Sequence, residues 1–419
     1  MNQVPGTLRL LIYSDLFWPV IGGVQTSVEL LARGLARQMA NGDSSNRDRI
    51  ELTLVTQTAA NRIGDSVLPY CIVRRPGFIE LIRILRRTDV VHLAGPCLVP
   101  LALALLMRKP TIMEHHGYQV SCPNGMLLLE PQKTQCPGHF MAKRYGKCLD
   151  CNSHDMGWWK SLKTLLLIFP RRWLCRKIAA NVSITDHVSL RLALPRSRTI
   201  YYGIEDAGPR VMENQIGTEK PLHLAFLGRL VSEKGLPVLF RAVQHLEQEG
   251  VAFQLTVMGD GPQRSSLEQL AKEMRISHRV TFTGEMNRQQ VDKALRDTDV
   301  VIMPSLCEET AGLAAIEQMM SGGAVIVSDI AGLAEVVGEA GLKFAPGNSD
   351  ELYSCLKLVA KDRRTIGRLG SMARARALKE FTAERFIMQH VSLYRELQKA
   401  DFSKKHAKAE SRHDTHAEG

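Results

Sequence analysis

Short apolar runs recur along the chain, each followed by a longer stretch in which apolar positions return every three or four residues. That alternation is the pattern of parallel strands joined by helical crossovers. In the first half, strands are predicted at residues 8–13, 51–56, 90–93 and 111–114, with helices over 25–39 and 98–107. The pattern starts afresh with strands at 222–227, 254–258, 280–283, 300–303 and 324–328 and a helical run over 236–248. The expected fold class is therefore α/β, with two Rossmann-like doubly wound parallel-sheet domains. Residues 205–221 are polar, contain Gly and Pro and lack hydrophobic periodicity, which marks a linker. The boundaries read from this are a first domain over 1–205 carrying an insertion at 118–160, and a second over 206–385. A helix over 386–400 is expected to cross back to the first domain. The small and charged residues of 401–419 are expected to be disordered, and 41–49 to be an exposed loop.

Composition narrows the setting. A chain of 419 residues with 45% hydrophobic and 23% charged positions is ordinary globular material, longer than one core usually spans. No uncharged apolar run is long enough to span a membrane; the best candidate, 98–107, is bounded by prolines and by Arg108 and Lys109 and reads as a buried helix. The apolar run at 10–13 is too short for the core of an export signal, so a cytoplasmic protein is expected. Nine cysteines in that setting argue for reduced thiols or a metal site over a disulfide framework. The net charge of +11 is concentrated: residues 141–200 hold twelve Lys and Arg against three Asp and Glu.

Three turns carry candidate chemistry. Gly228 to Gly235 lies between a strand and a helix, where backbone N–H groups favour an anion, and Arg229 and Lys234 add full positive charges suited to a diphosphate. The same two cations would also suit a solvated turn. A second turn, Gly259-Asp260-Gly261-Pro262, is half of a dinucleotide fingerprint; it lacks the third glycine and the ribose-binding acid, which speaks against a nicotinamide enzyme. The third is Glu309-Thr310-Ala311-Gly312-Leu313 with Glu317 two helical turns on. A helix starting near Gly312 would aim its N–H groups at phosphates, with two carboxylates placed for sugar hydroxyls, although two surface glutamates fit the spacing as well. Asp297-Thr298-Asp299 directly precedes a strand and reads as its entry loop.

Taken together, Gly228–Gly235 and Glu309–Glu317 resemble the donor-site signatures of glycosyltransferase family 4, a retaining family with the two-domain GT-B fold. The resemblance extends to Pro19-Val20-Ile21-Gly22-Gly23-Val24, similar to that family's N-terminal glycine loop, and to His115-His116-Gly117-Tyr118, similar to its histidine motif. It implies two domains facing across a cleft. It also implies Arg229 and Lys234 on the diphosphate, Glu317 on the ribose, Glu309 on the donor sugar, and His116 lining the sugar on the acceptor side. Gly22 and Gly23 would let backbone approach the diphosphate from the first domain. The segment Gly228, Gly259, Gly261, Thr310, Ala311, Gly312 and Leu313 would complete the nucleotide-sugar site. Ala311 departs from the pattern, which usually has an aromatic there, and so does Gly323-Ala324 in place of Gly-Pro; both bear on which sugar is taken. No metal or cofactor is expected in the reaction.

Two features stand apart from those motifs. Cys122, Cys136, Cys148 and Cys151 fall within thirty residues and could close a structural zinc site; an iron–sulfur cluster or plain thiols are the alternatives. Cysteine-bearing insertions after the histidine motif occur in a subset of family 4, which the chain resembles here too. Beyond them, Gly157-Trp158-Trp159-Lys160 and the residues to Trp173 interleave aromatics, leucines and cations, which suits the headgroup region of an anionic membrane. A helix packed by its tryptophans with solvated cations is the plainer reading. The sequence thus leads to a glycosyltransferase at the cytosolic membrane face, using a UDP-sugar in preference to a GDP-sugar. The acceptor would be a glycan or a lipid-linked molecule in polysaccharide or glycoconjugate assembly, with no nucleic acid involved. Its rivals are a sugar-nucleotide epimerase of the same fold and a zinc-dependent nucleic-acid-binding protein, the latter suggested by the cysteines beside the basic stretch.

Overall fold

A computed structural model describes residues 6–20, 22–41, 49–59, 65, 68–130, 132–209 and 220–417. Most of the linker and of the 41–49 loop expected from the sequence lies outside the described residues.

The first domain is built around β1 (Leu8–Ser14), α1 (Gly23–Asn41), β2 (Ile50–Thr56), β3 (Cys71–Arg74), α2 (Phe78–Arg87), β4 (Val90–Ala94), α3 (Leu98–Leu106) and β5 (Thr111–His115). After β5 come a small hairpin, β6 (Leu128–Leu129) and β7 (Thr134–Gln135), and the helices α4 (Tyr145–Met156) and α5 (Trp158–Cys175). They are followed by β8 (Ala180–Ser183), α6 (Asp186–Leu192) and β9 (Ser197–Thr199). Seven of these strands form one sheet in the order β3-β2-β1-β4-β5-β8-β9, every pair parallel. The interior strands β1, β4 and β5 are buried along nearly their whole length, which is why they read as continuous apolar runs.

The second domain repeats the scheme. Its elements are β10 (Leu222–Leu227), α7 (Leu236–Gln248), β11 (Phe253–Met258), α8 (Arg264–Glu273), β12 (Val280–Gly284), α9 (Arg288–Arg296), β13 (Val300–Met303) and α10 (Leu313–Met320). It continues through β14 (Ala324–Ser328), α11 (Ala331–Val337), β15 (Leu342–Phe344), α12 (Ser349–Lys361) and α13 (Arg364–Glu380). The sheet order is β12-β11-β10-β13-β14-β15, again parallel throughout. In both sheets the order reverses beside the first strand, and that switch point is where open α/β sheets place their ligands.

Phe226, Leu239, Phe240, Leu255 and Leu356 fill one face of the second sheet. On its other face, the apolar core of α10 and α11 runs on without a break into Tyr118, Ile184 and Val188 of the first domain. Chain crossings between the domains occur twice, side by side. Ile204 and Thr382 pair as a β-bridge, with Ile204 N donating to Phe381 O and Ala383 N donating to Ile204 O. The last helix, α14 (Ala383–Ala417), then lies on the first domain against α1, where Gly34 leaves room for Ile387. This helix continues through Ala417, where the composition of 401–419 predicted disorder. Ala, Lys and Glu supply eight of the nineteen residues of that stretch, and their helix propensity suits extension of a helix already nucleated on the domain.

Candidate functional site

The centre of the site lies where the turn after β10 meets the turn after β13. Gly235 closes the first turn at φ 70°, and a Cβ there would come within 1.9 Å of Pro304 O. Glycine is needed because the two turns touch through backbone. Leu306 N donates to Glu233 O at 2.8 Å, which holds them together. That contact brings Lys234 onto the Glu309 carboxylate, and Ser305 Oγ donates to the same Glu309 oxygen at 2.6 Å. Burial disfavours charge on both members of the pair, yet their mutual attraction outweighs it: Lys234 is held above its ordinary pKa and Glu309 below its own. Arg229 is exposed on the same turn, close enough for its charge to act on Lys234.

Glu309 leads into the N-terminus of α10. Gly312 caps that helix at φ 66°, and a Cβ on it would meet Leu333 Cδ1 at 2.5 Å. No side chain caps the first turn; Ala315 N and Ile316 N turn back to Gly312 O, so it is the N–H groups of Leu313 and Ala314 that can meet an anion. Across the cleft stands the glycine loop of the first domain: a Cβ on Gly23 would touch Leu313 Cδ2 at 3.5 Å. Gly22, beside it, packs under Gln25, and Thr26 N returns to Gly22 O. The fold thus sets Gly23 against Leu313, with Gly22 next to it in the chain.

Glu317 looks another way. Its carboxylate receives Arg288 Nη1 at 3.3 Å from α9 and lines a cavity of about 1100 Å³ with Thr26, Gly208, Asn287 and Val291. Burial raises the Glu317 pKa, against the pull of Arg288. Arg288 was not expected from the sequence; it comes from a different crossover, and only the fold places it beside Glu317. Gly259 and Gly261 sit one layer back. Their Cβ positions would fall 2.1 Å from Gly228 O and 2.5 Å from Leu230 O, and Leu230 N donates to Asp260 O at 2.9 Å. These glycines thus set the shape of the Gly228 turn by close backbone packing.

His116 lies under Tyr202, ring on ring at 5.7 Å, with Nδ1 bonded to Tyr202 Oη at 2.8 Å. Burial lowers its pKa. No hydrogen bond or ion pair joins it to Lys234 or Glu309 among the described residues.

The walls of the cleft are tied together by groups the sequence reading missed. Thr185 Oγ1 donates to Thr310 O at 2.7 Å, which fixes the loop carrying Thr310 and the buried Ala311. Glu308 accepts from Arg191 at 2.8 and 2.9 Å and lies 2.9 Å from His187 Nε2. Glu335 accepts from the N–H groups of Asp186 and His187, both at 2.7 Å, and from Tyr201 Oη at 2.8 Å. Carboxylates at the start of α6 are favourable on helix-dipole grounds as well. Asp299, by contrast, is buried and bonded to His223 N and Arg363, in keeping with the strand-entry loop expected for 297–299.

The four insertion cysteines are buried free thiols. Burial, and then the neighbouring Cys122, Cys136 and Cys151, push the Cys148 thiol up to about 12. Their sulfurs do not all lie within 4.8 Å of one another, and the one described set of three or more potential ligands that does is His92, Glu114 and His390. In α5, Trp158, Trp159, Leu166 and Trp173 are exposed, as are Val99 and Leu106 of α3, which packs beside it. No helix among the described residues is long and apolar enough to cross a membrane.

Two parallel-sheet domains with this switch-point cleft define the GT-B architecture, and comparison with solved structures agrees. Sucrose-phosphate synthase of Thermosynechococcus elongatus superposes with a TM-score of 0.69 at 19% identity, covering 94% of this chain and 100% of that one. HepE of Anabaena in complex with UDP gives 0.65 at 15% identity, covering 92% and 99%. Residues 211–376 match the family model of Glycosyl transferases group 1. Among curated relatives, the 2-deoxystreptamine glucosyltransferase of Streptomyces kanamyceticus is 33% identical over 244 residues, 54% of this chain and 62% of that protein. A sulfoquinovosyl transferase of Arabidopsis thaliana is 32% identical over 161 residues, 37% and 30% respectively. The matched part thus spans less than two thirds of either relative.

Proposed function

We propose that the chain is a retaining glycosyltransferase that moves a sugar from a nucleotide-diphosphate donor, a UDP-sugar in preference to a GDP-sugar, to a glycan or lipid-linked acceptor. The observation that carries this reading is the bonded group Lys234, Ser305 and Glu309 beside the uncapped start of α10, with Gly23 facing it across the cleft. The family match over 211–376 covers the whole of that group.

In this reading the diphosphate lies between Arg229, Lys234 and the N–H groups that open α10, from Leu313 on. Glu309 turns its carboxylate to the donor sugar, while Glu317 and Arg288 meet the ribose at the mouth of the cavity. Gly22 and Gly23 let the first domain close on the phosphates without a side chain in the way, and His116 borders the sugar from the acceptor side. As the bond from the sugar to the diphosphate breaks, negative charge grows on the leaving phosphate oxygens. That charge is met by cations and dipoles already in place, a contribution of several kcal/mol in comparable sites. The departing phosphate oxygen takes the proton of the acceptor hydroxyl, which then attacks from the same face. Neither a metal nor a protein nucleophile is required.

The acceptor side is assigned to an anionic membrane surface. Apolar side chains on α3 and α5 stand out beside Lys160, Lys163 and Arg171, the mixture that an interfacial helix presents to headgroups. Cys122, Cys136, Cys148 and Cys151 are assigned to a structural metal that fastens the insertion, zinc before an iron–sulfur cluster, since four buried cysteines on one insertion supply the donors it takes.

Calorimetric titration with UDP- and GDP-sugars, without divalent metal, tests the reading. Saturable binding of one donor that is lost in Lys234→Met supports it. Absence of binding to every donor, with steeply salt-dependent binding to DNA or RNA, would move the assignment to a nucleic-acid-binding protein.

A further inference from the structure

Glu114 is a carboxylate at the centre of the first domain, 1% exposed, with no Lys or Arg in its ion pairs among the described residues. Its neighbours are three imidazoles: His92 Nε2 at 3.0 Å, His116 Nε2 at 3.7 Å and His390 Nε2 at 3.9 Å, all measured to Oε2. The hydrogens available do not satisfy this cluster. His390 Nδ1 faces Phe386 O at 2.9 Å, and a carbonyl can only accept, so that nitrogen carries the proton. A neutral His390 then turns the bare lone pair of Nε2 toward a carboxylate oxygen. His390 Nε2, His116 Nε2 and Glu114 Oε1 are all buried without a hydrogen-bond partner. His390 Nε2 and Glu114 Oε2, 3.9 Å apart, are then two acceptors facing one another in a dry interior, an arrangement that a shared cation relieves.

We propose that His92 Nε2, the Glu114 carboxylate and His390 Nε2 hold a zinc ion. Their ligand atoms lie within 4.8 Å of one another. The separations of 3.0 and 3.9 Å from Glu114 straddle the ~3.3 Å expected between ligands around tetrahedral zinc, given metal–ligand bonds of about 2.0 Å. Two imidazoles and a carboxylate are a donor set that suits zinc. The outer bonds are in place too: Phe386 O orients His390, and Tyr394 Oη, 2.6 Å from His92 Nδ1, orients His92. His116 Nε2 borders the fourth position.

The ligands come from β4, β5 and α14, so the ion fastens the returning C-terminal helix to the sheet of the first domain. The site is separate from the four cysteines, and none of its three ligands is placed on donor or acceptor in the proposed transfer. X-ray absorption at the zinc edge distinguishes the two sites, because thiolate ligands sit at about 2.3 Å and imidazole or carboxylate ligands at about 2.0 Å. The full-length protein, stripped with chelator and reloaded with Zn2+ alone, is expected to show a nitrogen and oxygen shell. That shell should disappear in His390→Gln and persist in Cys148→Ser. A sulfur-only shell in the wild-type protein, or no retained zinc, overturns the proposal without recourse to any variant. An unchanged nitrogen and oxygen shell in a folded His390→Gln protein overturns it as well.

Discussion

Replacing Lys234 by methionine keeps most of the side-chain volume and removes the charge that Glu309 is bonded to. Ser305 Oγ still donates to Glu309 at 2.6 Å, so one of the two bonds survives and the carboxylate is not left wholly unpaired. Lys234 is 27% exposed, and losing a charge-assisted hydrogen bond of this kind costs about 2 kcal/mol of stability. Catalysis should suffer more, because the cation faces the growing phosphate charge: transfer is expected to fall by about 10²–10³-fold, as when one preorganised donor is deleted. A double-mutant cycle with Glu309→Gln separates the two effects. Chemical denaturation should give a coupling of about 1–3 kcal/mol between the two positions. The pH dependence has a defined sign. Glu309 is held below its ordinary pKa, so its contribution is present above the unfolded carboxylate value and is lost as pH falls through the folded one. Lys234 is held above its ordinary pKa, so its contribution is present below the unfolded lysine value and is lost as pH rises through the folded one. The excess stability of wild type over Lys234→Met should therefore be greatest between about pH 5 and 10. A donor-saturated transfer rate within about threefold of wild type in a folded Lys234→Met protein would refute the placement of Lys234 on the diphosphate.

Other substitutions probe the surroundings. Gly235→Ala should destabilise the protein by several kcal/mol, from a left-handed backbone together with a Cβ 1.9 Å from Pro304 O; a melting temperature equal to wild type would show that the two turns do not meet as described. Cys151→Ser should lower the melting temperature and the bound metal together, and loss of neither would remove the cysteine metal site. Trp158→Ala with Trp159→Ala, at side chains 51% and 79% exposed, should weaken sedimentation with vesicles containing phosphatidylserine while leaving the fold intact; equal binding by the double variant would remove α5 from the membrane surface.

Much of this architecture can be read from apolar runs. Strands β10, β13 and β14 fall where the sequence places them, because interior parallel strands are buried on both faces and read as unbroken hydrophobic segments. Strands that carry polar residues escape that reading. In β8, Asn181 and Ser183 are fully buried, and Asn181 is used to bond His115, Cys175 O and Pro195 O, so the segment has no hydrophobic signature. The short strands β3, β9 and β15 lie at or next to sheet edges and give too few residues for a period. At the site, Lys234 and Glu309 are legible from motifs, but their bond is not, since it depends on two turns 75 residues apart. The same holds for Glu308 and Glu335, whose partners lie in the other domain, and for Arg288 beside Glu317.

In the proposed transferase a donor diphosphate binds between Lys234 and the start of α10, facing Gly23. A crystal structure of the protein soaked with UDP or a non-hydrolysable UDP-sugar tests it most directly. A phosphate oxygen is expected within hydrogen-bond reach of Lys234 Nζ and of the first N–H groups of α10, with the ribose at Glu317. Diphosphate density elsewhere in the cleft, with Lys234 still bonded only to Glu309, would contradict it.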